Sequence, residues 1–102
     1  MKAEIRCAPV GKSWVCHVIL TASSIDERQL LKDPLFVETV MKAIGGVRAE
    51  AYMKKMTEQL RISLGRVEVD DVDEMCHVVL LAVKKVLDDW RNEKVKEIHA
   101  EV

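Results

Sequence analysis

Aromatic residues, glycine and proline are scarce in this chain of 102 residues. Two Trp, one Tyr and one Phe offer few rings on which the bases of single-stranded nucleic acid could stack. Four Gly and two Pro form no linker that would divide the chain, so we predict one domain over residues 1–102. The longest apolar run, Val78–Val83, is far shorter than the roughly 20 residues that cross a bilayer, and we therefore expect no membrane partner.

An excess of charge of either sign is also missing. The 16 basic and 17 acidic residues give a formal net charge of −1. Proteins that bind nucleic acid or anionic membranes usually carry a basic excess, so this balance argues against both kinds of partner. A basic patch confined to one face would still be compatible with it.

Three cysteines, an odd number, show no spacing typical of a disulfide framework. The first seven residues alternate charged and apolar types and contain no apolar signal segment. We therefore predict a cytoplasmic protein in which Cys7, Cys16 and Cys76 are free thiols.

The first part of the chain, residues 2–22, predicts a β-hairpin. Apolar and charged residues alternate over residues 2–8, and residues 14–22 are rich in β-branched types. Gly at the first position of a two-residue Gly11-Lys12 turn suits type II′. The pairs that follow from this turn are Val10–Ser13, Cys7–Cys16, Ile5–Val18 and Ala3–Leu20.

Capping residues predict two helices after the hairpin. Ser24 and Glu27 have the spacing of a capping box, which predicts a short helix over about 25–32. Asp33 followed by Pro34 predicts a new helix over 34–44, because Pro suits the first helical position after an Asp cap. Gly45-Gly46 then supplies the left-handed residue that commonly ends a helix.

The middle of the chain, residues 47–69, is ambiguous. Apolar residues at helical spacing favour a third helix over 47–64, followed by a short third strand near 66–69. Residues 62–69 also fit a second hairpin around Gly65-Arg66, since apolar residues alternate on both sides of it. We favour the helix and keep the hairpin as the alternative.

The last third of the chain predicts one long amphipathic helix over about 71–100. Four acidic residues stand at its start, where the helix dipole favours negative charge. A helix of 30 residues is about 45 Å long, which exceeds the span of a domain of this size. Val95, Ile98 and Val102 would then lie beyond the body, and they are our interface candidates.

These elements predict an α+β fold in which the N-terminal antiparallel hairpin packs against three main helices, the last one long. Adjacent Cys and His residues occur twice, but neighbouring side chains point in different directions, so we predict no metal and no cofactor. The candidates for a pocket between sheet and helices are Trp14, Cys16, His17, Tyr52 and Cys76.

Three functions remain open. The overlong helix and the unpaired hairpin edges favour a non-enzymatic module that self-associates, as a homodimer, or that binds another protein. The alternative is a small-molecule-binding protein or small enzyme with a pocket between sheet and helices. A weaker third hypothesis is nucleic-acid binding through basic residues around the predicted helix over 47–64, namely Lys42, Arg48, Lys54, Lys55, Arg61 and Arg66.

Overall fold

A computed structural model describes the backbone of residues 1–101 and the side chains of residues 1–92. The elements are β1 (Lys2–Val10), β2 (Ser13–Thr21), α1 (Ile25–Leu31), α2 (Pro34–Ile44), β3 (Arg48–Lys54), β4 (Thr57–Val67) and α3 (Val72–Glu101). The strands form one antiparallel sheet in the order β1-β2-β4-β3. The α+β class, the N-terminal hairpin and the long last helix are confirmed. No helix in this described part combines the length and apolarity needed to cross a membrane.

The first hairpin has the predicted register. All four predicted pairs are present, among them Cys7 opposite Cys16 and Ile5 opposite Val18. Gly11 has φ +62°, which a glycine adopts without steric cost. The turn residue therefore fixes the register, and the register fixes which side chains face the helices.

Short polar side chains start the helices where the sequence predicts. Ser24 accepts a hydrogen bond from the backbone N–H of Glu27 at 3.2 Å, and Asp33 accepts one from Leu35 at 3.0 Å. Gly45 ends α2 with φ +68°. Asp71 caps α3 in the same way, because its carboxylate accepts the N–H of Glu74 at 3.1 Å.

The predicted helix over 47–64 is wrong, because this segment forms the hairpin of β3 and β4. The alternative hairpin around Gly65-Arg66 is also wrong, because both residues lie inside β4. They are next to a β-bulge, where the pairing register of β4 with β2 shifts between Cys16 and His17. The short strand predicted near 66–69 overlaps only the end of β4, which runs from Thr57 to Val67. The sequence carries no signal for the turn between β3 and β4. Its two central residues, Lys55 and Met56, have φ +50° and +65° without being Gly, Asn or Asp.

We predict that replacing Lys55-Met56 by Asn-Gly stabilises the protein by about 1–2 kcal/mol. Both residues sit in the left-handed region, which costs a residue with a side chain such as Lys or Met roughly 1–2 kcal/mol. Chemical denaturation would measure the gain. Asn-Gly at residues 38–39, in the middle of α2, is the control and should destabilise. Stabilisation at both places would contradict the turn geometry.

The core lies between the helices and one face of the sheet. Its fully buried large side chains come from β2, β4 and the helices: Leu20, Val18, Cys16, Ile62, Phe36, Val40 and Val83. The helix α2 contacts α3 and β3, whereas α3 also lies against β1. The helices thus cover one face and leave the other to solvent, as is common in antiparallel sheets.

Candidate interaction surface

The pairing of the strands defines the outer face of the sheet, which is the face away from the helices. Three successive rows across it, from β1 to β3, are Lys2, Thr21, Gln59 and Tyr52; Glu4, Ile19, Arg61 and Glu50; and Arg6, His17, Ser63 and Arg48. Nearly all of these side chains are polar. Ile19 is the buried exception, and its neighbours across the strands are the long side chains of Glu4 and Arg61.

The five pocket candidates do not meet at one place. His17 and Tyr52 belong to the outer face, whereas Trp14, Cys16 and Cys76 lie on the helix side. Tyr52 stacks under the guanidinium of Arg61, whose carbon is 5.9 Å from the ring centre. Leu, Val and Phe side chains fill the centre of the space between sheet and helices. A pocket of about 240 Å³ remains at its edge, where Tyr52 is the one candidate among the lining residues.

The edge of the sheet formed by β1 is the first candidate surface. A two-residue turn hydrogen-bonds the pair Val10–Ser13, and hydrogen-bonded and open pairs alternate from there along the strand. The backbone N–H and C=O groups of Ala3, Ile5 and Cys7 therefore point away from β2, toward the free edge. Such an edge is a template on which another strand can pair.

A groove of about 340 Å³ runs beside this edge, between the start of β1 and α3. Apolar side chains and the charged groups of α3 line it: Met1, Ala3, Leu80, Leu87, Lys84, Asp88 and Arg91. Further out on α3, Val78 and Leu81 are more than half exposed. The edge and the apolar groove together form a continuous surface that a second strand or helix could cover.

Glu27 fixes the start of β1 against α1 and α3. Its carboxylate accepts a hydrogen bond from the Met1 ammonium at 2.6 Å and lies 3.7 Å from the Arg91 guanidinium. The Ser23 backbone N–H and hydroxyl also donate to it, at 2.8 and 2.6 Å. The hydrogen bond from the ammonium and those from Ser23 lower the pKa of Glu27 to about 2, against the opposing effect of burial.

Two carboxylates and several cations share the outer face. Glu4 pairs with Arg6 at 3.7 Å, and Glu50 pairs with Arg48 at 3.5 Å. The basic side chains of the four strands on this face are Lys2, Arg6, Arg48, Lys54, Arg61 and Arg66. The carboxylates of these strands on the same face are Glu4 and Glu50, with Glu68 just beyond the end of β4. The face is thus basic although the chain as a whole is not.

The three cysteines meet on the helix side of β1. Cys7 and Cys16 form a disulfide between adjacent strands, with their Cα atoms 4.1 Å apart. The prediction of three free thiols is therefore wrong for these two, because the register places them directly opposite each other on open-pair positions, where side chains approach most closely. Cys76 keeps its thiol, and its Sγ lies 3.8 Å from that of Cys7.

The sequence alone did not identify the residues that give the β1 edge its charge pattern. Glu4 and Arg6 appear in the alternating pattern, but nothing in that pattern places β1 at an edge. The interface candidates Val95, Ile98 and Val102 lie outside the side chains that the structure describes. Within the described residues, no group of three His, Cys, Asp or Glu side chains is arranged to hold a metal ion.

No family model, curated protein or solved structure matches this chain.

Proposed function

We propose that this protein is a non-enzymatic interaction module that self-associates as a two-fold dimer through the free edge of β1. The observation that carries the proposal is the charge pattern of that edge. Glu4 and Arg6 flank Ile5 and share one face of the strand. A strand with opposite charges on either side of its centre is complementary to an antiparallel copy of itself.

The charge pattern and the length of the paired segment together select one register. A two-fold axis at Ala3 also sets Lys2 opposite Glu4, but it pairs only the first five residues, whereas an axis at Ile5 pairs nine. Pairing must join residues whose backbone groups point outward. In an antiparallel dimer this requires that one residue lies directly opposite its own copy, with the two-fold axis midway between the two. An axis through Ile5 sets Glu4 of each copy opposite Arg6 of the other. Axes through Glu4 or Arg6 instead place like charges directly opposite each other, which is destabilising. The resulting dimer has a continuous eight-stranded sheet.

The groove beside β1 supports the same choice of edge. Pairing across β1 brings the second copy next to the apolar groove lined by Met1, Ala3, Leu80 and Leu87, where burial of apolar surface adds to strand pairing. The helix α3 continues to Glu101, beyond Arg91 at the end of that groove. The last turns of α3 are therefore placed to reach a second copy.

Charge reversal tests the register. We expect Glu4→Arg or Arg6→Glu alone to raise the dimer Kd by about 10- to 100-fold, because each change creates two like-charge contacts by symmetry. The double variant Glu4→Arg with Arg6→Glu restores both contacts in reversed order and should return the Kd to near the original value. Light scattering across a concentration series measures the Kd.

The matched control is Lys54→Glu, which changes a charge on the opposite edge strand. It should leave the Kd unchanged. A protein that is monomeric at all concentrations, or single reversals without effect on the Kd, would contradict dimerisation through β1. A Kd that responds to Lys54→Glu but not to Glu4→Arg would place the interface at β3.

Nucleic-acid binding is the second candidate function, and the basic outer face favours it. Four residues that the sequence singled out as a basic cluster, Arg48, Lys54, Arg61 and Arg66, lie on this one face because β3 and β4 are strands and not a helix. One aromatic side chain, Tyr52, accompanies them. The composition suits contacts to phosphates more than base stacking.

Fluorescence anisotropy with a labelled RNA of mixed sequence tests this second candidate. Binding through phosphates should weaken steeply as salt rises, and Arg61→Ala with Arg66→Ala should make the salt dependence shallower. Lys42→Ala, on α2, is the control and should have no effect. Absence of binding at low salt would exclude this function.

A cytoplasmic location is part of the proposal, and the Cys7–Cys16 disulfide is the observation against it, since reducing compartments keep thiols reduced. Measuring free thiols immediately after cell lysis into an alkylating agent distinguishes the two cases. Three alkylated cysteines per chain would support the cytoplasm, and one would support an oxidising compartment.

A further inference from the structure

We propose that the three cysteines form a thiol–disulfide exchange centre in which the disulfide moves between Cys7–Cys16 and Cys7–Cys76. Cys7 is common to both forms. The Cys76 sulfur lies 3.8 Å from the Cys7 sulfur, which already belongs to a disulfide. This is van der Waals contact between a nucleophile and the atom that it would attack.

The exchange is balanced without any external oxidant or reductant. Cys76 gives its thiol proton to solvent, and the thiolate attacks the Cys7 Sγ. A bond forms between Cys7 and Cys76 while the Cys7–Cys16 bond breaks. Cys16 leaves as a thiolate and takes up a proton, so one disulfide and one thiol are present before and after.

The surroundings of the three sulfurs separate their roles. Cys16 is fully buried in the core, whereas Cys7 and Cys76 are both half-buried. Burial, and secondarily the nearby charge of Asp73, raises the pKa of the Cys76 thiol. In the form with the Cys7–Cys16 disulfide, Cys76 is therefore a neutral thiol, and exchange starts from its small thiolate fraction.

The two disulfide forms join different elements of the fold. The Cys7–Cys16 bond links two strands that are already paired and closes a sequence separation of 9 residues. The Cys7–Cys76 bond would span 69 residues and join α3 covalently to the edge strand β1. Exchange thus moves a covalent link from within the sheet to the contact between sheet and helix.

Labelling of the free thiol tests the proposal. Full-length protein oxidised with oxidised glutathione is held at mildly alkaline pH, quenched with acid, denatured and alkylated with N-ethylmaleimide. Peptide mass spectrometry then locates the label. We expect label to be shared between Cys76 and Cys16, with none on Cys7. Label confined to Cys76, label on Cys7, or a protein that stays fully reduced would overturn exchange.

Two variants make the test independent of the equilibrium between the two forms. Cys16→Ser leaves Cys7 and Cys76, which should form an intramolecular disulfide with oxidised glutathione in the folded protein. Cys76→Ser is the control and should retain Cys7–Cys16. If Cys16→Ser, shown to be folded by circular dichroism, yields only mixed disulfides with glutathione, the proposed contact is wrong.

Discussion

Replacing Phe36 by Ala is expected to lower the free energy of unfolding by about 3–5 kcal/mol. Phe36 is fully buried and is the largest side chain in the core with no exposed surface. Its ring meets that of Trp90 edge-on, with centres 5.4 Å apart, so it joins α2 to α3. The substitution removes both the buried apolar surface and this aromatic contact, and leaves a cavity at the junction of the two helices.

Leu35→Ala is the matched control, because Leu35 is the next residue on the same helix and is 62% exposed. It should cost well under 1 kcal/mol, since most of its side chain already contacts water. Urea denaturation followed by circular dichroism measures both values. Equal losses for the two variants, or a loss below 1 kcal/mol for Phe36→Ala, would contradict the packing of α2 on α3.

Replacing Glu27 by Gln is expected to cost about 2–3 kcal/mol at neutral pH and to flatten the loss of stability in acid. The folded state holds the pKa of Glu27 at about 2, below the ordinary value of 4.5. The unfolded chain therefore binds a proton at a higher pH than the folded chain does. This stabilisation is fully present above about pH 5 and is lost as the pH falls toward 2.

The measurement is the free energy of unfolding of both proteins between about pH 6 and pH 2. The difference between them should shrink steadily as the pH falls, because other carboxylates titrate equally in both. Asp26→Asn, the exposed neighbour in the same helical turn, should show a much smaller difference. A difference between wild type and Glu27→Gln that does not depend on pH would mean that the ion pair with the Met1 ammonium contributes nothing.

The two hairpins explain why one half of the sheet was predictable and the other was not. In the first hairpin, Gly11 predicts the position of the turn, and counting residues outward from that turn gives the strand pairs. In the second, Lys55 and Met56 occupy left-handed positions that carry no sequence signal. The flanking residues are mostly good helix formers, so helix propensity and strand pairing conflict, and the contact of β4 with β2 decides the outcome.

The surface could be predicted less well than the fold, because it depends on contacts between distant segments. Glu4 and Arg6 alternate visibly, but β1 is an edge strand because β4 pairs with β2 and not with β1. The approach of Cys76 to Cys7 bridges 69 residues and depends on where α3 crosses β1. The Cys7–Cys16 pair, in contrast, follows from the hairpin register that the sequence already predicts.

Pairing of β1 with a second copy is tested most directly by hydrogen exchange of the Ile5 amide as a function of protein concentration. The Ile5 N–H points to the free edge. It is therefore protected from exchange only if a carbonyl of another strand accepts its hydrogen bond. The amide of Ala51, which points outward from the opposite edge, is the internal control. We predict that the exchange of Ile5 slows as concentration rises while that of Ala51 does not. An Ile5 amide that exchanges at the same rate at every concentration would contradict dimerisation through β1.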